Sequence, residues 1–171
     1  MSRRLLIALA AVALSLTAFV GATAAAPVQM FVTPLNGGEE VPPRETDAHG
    51  VAIFQLSPDG SAMTYRLIAS NIENVVQAHI HIGLAGANGP VAVFLFGPVT
   101  PGGGRHVGVL STGSFTSANF IGPLAGMTMV NLVDAIADGR AYVNVHTNDG
   151  VGLPDSGHGD HPGGEIRGQL D

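Results

Sequence analysis

Apolar and polar residues alternate along several short stretches of this chain, most clearly over residues 77–89, QAHIHIGLAGANG. An extended strand there places Ala78, Ile80 and Ile82 on one face and Gln77, His79 and His81 on the other. Residues 141–146 repeat the pattern, with Ala141, Val143 and Val145 set against Tyr142, Asn144 and His146. Residues 51–56 and 62–69 flank Ser57-Pro58-Asp59-Gly60, a strong turn signal, and together predict a β-hairpin. Further strands are expected at 28–32, 106–110 and 165–170. The run 91–96 is dense in Val and Phe and is expected to be buried on both faces. Residues 111–120 fit no period. Polar or glycine-rich loops are expected at 35–50, 97–104 and 147–164.

The period changes once. Met129, Leu132, Val133 and Ile136 fall at helical spacing with Asn131, Asp134 and Asp138 opposite, and Thr128 and Gly139 suit the N-cap and C′ positions. The fold class this predicts is all-β, a Greek-key sandwich or flattened barrel of seven or eight strands with one short connecting helix.

The N-terminus reads differently. Arg3 and Arg4 precede an apolar run from Leu5 to Val20, and small residues follow, the layout of a secretory signal peptide. The Ala22-x-Ala24 pattern predicts a leader over 1–24 and a mature domain over 25–171; the alternatives are cleavage after Ala26 or a retained anchor. With no Cys there is neither a lipid-attachment cysteine nor a disulfide, so stability must come from core burial, alone or with a metal. Leader removal would leave five Arg, no Lys and thirteen acidic residues, moving the net charge from −6 to −8. Such a surface argues against nucleic acid and anionic membrane as partners, and no later segment is long and apolar enough to cross a bilayer.

Two histidines one residue apart on a strand have Cα atoms roughly 7 Å apart and side chains pointing the same way. With His146 on a matching alternation, His79, His81 and His146 form a candidate metal site if their strands are neighbours. Neutral imidazole suits Cu, Zn, Ni and Fe, and the lack of thiolate argues against a purely soft-metal site; copper or zinc is the expectation. His49, His106, His161 and Glu165 are candidates for a fourth ligand. Alternatively, His79 and His81 lie on the polar side of a half-exposed strand, bonded to loop carbonyls. His158 and His161 are expected to be solvated, and Glu39-Glu40-Val41-Pro42-Pro43 to be a stiffened loop. Glu165 and Arg167 share a strand face, which predicts an Arg–carboxylate contact with another loop. Asn144 is placed to orient a histidine. No G-x-S-x-G elbow is present, and Gly102-Gly103-Gly104 has neither the Lys nor the helix start of a phosphate loop.

Three segments, in order, resemble the CHRD domain family, named for its repeats in chordin. They are Gly38-Glu39-Glu40-Val41-Pro42-Pro43 with Thr46 and Gly50; Ala78-His79-Ile80-His81 with Gly83, Gly86, Asn88 and Gly89; and Gly139, residues 142–147 and residues 162–169. The resemblance spans 29–171, with a longer link than usual between Thr147 and Pro162. It implies an exported domain, secreted or periplasmic or in the cell envelope, and supplies no reaction; the expected role is a non-enzymatic binding module whose partner is an extracellular protein or an envelope component. A fainter likeness to copper-zinc superoxide dismutase, an eight-stranded Greek-key barrel, maps onto His79, His81 and His146. The disulfide cysteines of that family are absent here. That likeness implies the alternative of a redox metalloenzyme; a purely structural envelope protein is the third expectation.

Overall fold

The computed structural model describes residues 28–153 and 157–171; the predicted leader lies outside the described residues. Eight strands form one antiparallel sheet: β1 Met30–Asn36, β2 His49–Leu56, β3 Ala62–Glu73, β4 Val75–Ile82, β5 Val91–Phe96, β6 Arg105–Thr116, β7 Ala141–Thr147 and β8 Ile166–Leu170. Their spatial order is β5-β4-β7-β8-β1-β2-β3-β6. The two outer strands then come together through side chains. Tyr65 Oη and Ser111 Oγ both donate to the Leu95 carbonyl, at 2.7 and 2.8 Å, which nearly closes the sheet into a barrel. Gly113 permits this, because a Cβ there would meet the Tyr65 ring at 2.9 Å.

The inward faces supply the core: Leu35, Phe54, Met63, Leu67, Ile80, Val143, Ile166 and Leu170 are almost fully buried. The single α-helix among the described residues, α1 Met129–Ala137, adds Leu132 and Ile136. It starts as the sequence predicts. The backbone N–H of Thr128 donates to Asn131 Oδ1 at 3.0 Å, and Gly139 takes φ +63° past the C-terminus. The β2–β3 hairpin also matches its pattern, with Asp59 Oδ1 accepting from Ser57 and Ser61 across the turn.

Four strands depart from expectation, β3 by running on to Glu73. β1 runs to Asn36, pairing with β2 in unbroken register from Met30↔Gln55 to Asn36↔His49. β6 extends into the stretch without a period as far as Thr116, where a 3-10 turn over Ser117–Asn119 follows, and its register against β3 shifts between Leu67↔Ser111 and Ile68↔Val109. That bulge at Leu110 offsets the alternation on its two sides, and beyond it the positions facing Leu67, Tyr65 and Met63 are Ser111, Gly113 and Phe115, of which only Phe115 is apolar and large. β5 is not buried throughout: Ala92, Val93 and Leu95 are buried, while its remaining positions are half-buried or exposed. It is an end strand of the sheet, and Phe94 points outward, 44% exposed. Among the described residues no helix is long and apolar enough to cross a membrane.

Candidate functional site

Register places the chemistry. β4 and β7 pair antiparallel with Gln77↔His146, His79↔Asn144 and His81↔Tyr142, so the outward residues of the two strands share one surface. β8 continues it, with Asn144↔Arg167 and Tyr142↔Gln169. The opposite faces of the same strands carry Ala78, Ile80, Val143 and Val145 into the core. Outward-pointing side chains would ordinarily meet water. Here loops cover them, and His79, His81 and His146 are only 2, 7 and 7% exposed.

The loop cover is fastened by the same polar surface. Arg167, buried, lies 3.4 Å over the Tyr142 ring and donates to the Leu84 and Ala87 carbonyls at 3.0 and 3.1 Å, holding the β4–β5 loop down. That loop comes so close that a Cβ on Gly89 would overlap the Ile82 carbonyl. Glu165, also buried, accepts from Thr46 Oγ1 at 2.6 Å, Thr147 Oγ1 at 2.7 Å and the Gly159 N–H at 3.2 Å. It ties the β1–β2 and β7–β8 loops to the sheet. Among the described residues Arg167 makes no ion pair within 4.0 Å with a carboxylate, although it acts electrostatically on Glu40 in the β1–β2 loop. Arg167 binds carbonyls and Glu165 binds hydroxyls and an N–H, because those are the groups the loops lay over them.

The structure brings His79, His81 and His146 together, each offering a nitrogen within 4.8 Å of the others. Their outer hydrogen bonds determine the tautomers. His81 Nδ1 lies 2.8 Å from the Gly89 carbonyl and His146 Nδ1 lies 2.8 Å from the Pro162 carbonyl. A carbonyl only accepts, so both Nδ1 atoms are protonated and both Nε2 atoms of the neutral rings carry a lone pair. His79 Nδ1 stands 3.2 Å from His146 Nε2 and donates to it. That leaves His79 Nε2 as a lone pair too. The Nε2 atoms of His79 and His81 are buried and have no hydrogen-bond partner. Two carbonyl-anchored imidazoles, with bare Nε2 atoms on His79 and His81, suit a metal ligand set, which would take His146 Nε2 in exchange for its bond from His79.

Electrostatics keeps these rings neutral. Burial, with the neighbouring His146 and His81 adding to it, lowers His79 to about 3. Burial also lowers His81 and His146, outweighing their hydrogen bonds to Gly89 and Pro162. Aromatic rings wall the cluster: Phe94 meets His79 edge-on at 4.5 Å, and Tyr142 stacks on His81 at 4.8 Å and 9°. Asn144, on the same surface, has its side-chain amide 3.0 Å from His146 Nε2, and bonds that lone pair with the amide turned so that its NH2 faces the ring.

The fourth-ligand candidates do not join the cluster. His49 is exposed and turned to the Asp47 carbonyl, at 3.0 Å; His106 sits on β6, 3.3 Å from the Gly108 carbonyl. The Glu165 oxygens face hydroxyls and an N–H. His158 is exposed as expected, but His161 is not: the loop folds back, through its N–H to Thr147 Oγ1, and buries the ring to 7% exposure. Sequence reasoning also missed Glu40. It is 3% exposed, and burial raises its carboxyl to about 7 despite the attraction of Arg167 and Arg44. Tyr142 had a signal, since it lies on the face of Asn144 and His146. Glu40 had only its place in the family-like segment 38–43, which does not foretell burial, because that depends on loops meeting across the sheet.

A family model described as the CHRD domain matches residues 31–154, a span that includes all three histidines and stops short of β8. No curated protein and no solved structure matches the chain.

Proposed function

Since the chain belongs to the CHRD domain family, we propose that it is an exported binding module whose His79, His81 and His146 hold one transition-metal ion, copper or zinc. The observation that carries this is the pair of buried, unpartnered Nε2 atoms of His79 and His81, with a nitrogen of His146 within 4.8 Å of both rings' ligand atoms. Leaving such atoms unbonded in a dry site is costly, and a cation removes the cost. The partner is an extracellular protein or an envelope component. Binding is favoured over redox turnover because histidines at 2–7% exposure offer a substrate little access.

The test is metal analysis of protein purified without a histidine tag and incubated with copper or zinc. One equivalent of metal is expected, together with a higher unfolding midpoint that a chelator lowers. The doubly substituted His79→Ala, His81→Ala protein, checked for its fold by circular dichroism, should bind none. Wild-type protein that takes up neither metal would overturn the proposal. Superoxide turnover by the loaded protein would move the reading to an enzyme. Unchanged partner binding and stability in the double variant would favour a purely structural role.

A further inference from the structure

We infer that this site selects a monovalent cation, copper(I), over divalent zinc or copper; the inference rests on the proposal that the three histidines bind metal. The argument is one of charge rather than softness. Every donor in the cluster is a neutral imidazole, and no carboxylate oxygen belongs to the group of ligand atoms that lie together. Glu165, beside His146 on the neighbouring strand, has its oxygens bonded to Thr46, Thr147 and the Gly159 N–H. A positive charge is already fixed nearby. The Arg167 guanidinium lies 3.4 Å over Tyr142, and the same ring stacks 4.8 Å from His81.

Burying an ion costs free energy in proportion to the square of its charge unless anions accompany it. A divalent ion would bring two charges into a site 2–7% exposed, where the buried Glu40 carboxyl beside Asn144 already answers the charges of Arg167 and Arg44; copper(I) brings one. Zinc, moreover, ordinarily completes a tetrahedron with a fourth ligand. Here His49, His106, His161 and Glu165 all lie outside the cluster.

The experiment is anaerobic competition of the untagged protein against chromophoric chelators, with copper(I), copper(II) and zinc(II) each supplied separately. Copper(I) is expected to bind one-to-one and about 100-fold or more tightly than either divalent ion. Relative to copper(II), a 100-fold preference corresponds to a rise of about 120 mV in the potential of the bound couple. Asn144→Asp places a carboxylate where an amide now lies 3.0 Å from His146 Nε2, and should narrow the preference at least tenfold. Zinc(II) or copper(II) held as tightly as copper(I) by the wild type would overturn the inference and leave the metal site standing. Failure to bind any of the three ions would overturn the site itself. The wild-type competition decides the matter even if the variant does not fold.

Discussion

Two outer faces of one barrel differ in a way the inner core does not. β7 is buried at all seven positions, whereas β1 alternates exposed and buried residues along its whole length. Both strands send alternate side chains into the same core. Outside, β4, β7 and β8 lie beneath three loops and carry His79, His81, Tyr142, Asn144, His146 and Arg167. β1 and β6 carry Met30, Val32, Val107 and Val109, which are 42–65% exposed. Polar groups lie where water is absent and apolar groups where it is present. The covered half therefore derives its order from paired polar atoms, and the bare half from the core behind it.

Arginine gives the largest expected contrast. Arg167→Met removes the cation over Tyr142 and leaves the Leu84 and Ala87 carbonyls without their donor. Its cost should be about 3–5 kcal/mol in urea unfolding, given the worth of buried charge-assisted bonds and of a desolvated cation–π contact. Arg66→Met, at an exposed outward position on β3, should change stability by no more than about 0.5 kcal/mol. Similar costs for the two would mean that the loop cover contributes nothing.

Acid should act on the covered half next. Metal-free His79, His81, His146 and His161 all have lowered affinities for protons when folded. Below 6.5 the unfolded chain protonates these rings while the fold resists, so stability is lost as pH falls, with His79 resisting down to about 3. Glu40 opposes this. Its carboxyl stays protonated in the fold up to about 7 but ionises from 4.5 when unfolded, so its contribution falls as pH rises. Several imidazoles outweigh one carboxyl. Between pH 4.5 and 6.5 unfolding free energy should rise by about 1.4 kcal/mol per pH unit for each net proton, and His79→Gln should flatten the slope. A slope of opposite sign would mean these rings are not held neutral.

How far the sequence foretold this follows the same division. Alternation reports where a side chain points, and it pointed His79, His81 and His146 to one surface correctly. The capping of α1 and the β2–β3 turn were legible because their causes are local. Burial of outward residues was not, since it depends on loops distant in sequence: Thr46 reaching Glu165, Asn88 reaching the Val41 carbonyl, and the backbone of His161 held on Thr147. For that reason His161 read as solvated and Glu40 as part of a stiff loop. β6 misled in another way, because beyond its bulge only Phe115 among the positions facing Leu67, Tyr65 and Met63 is apolar and large.

The smallest effect tests whether the bare half is bare. Val32 is 53% exposed and pairs with Ile53, which is itself half-buried, so a polar isostere there loses little apolar contact. Val32→Thr keeps the β-branched shape a strand favours and should shift stability by less than about 0.5 kcal/mol. The same exchange at Val143, fully buried behind His79 and His81, would put an unpaired hydroxyl into the core, at a cost of about 1–3 kcal/mol. If Val32→Thr cost as much as Val143→Thr, something would have to cover the β1 face in solution as the loops cover β7. The two halves would then differ only in which chain supplies the cover.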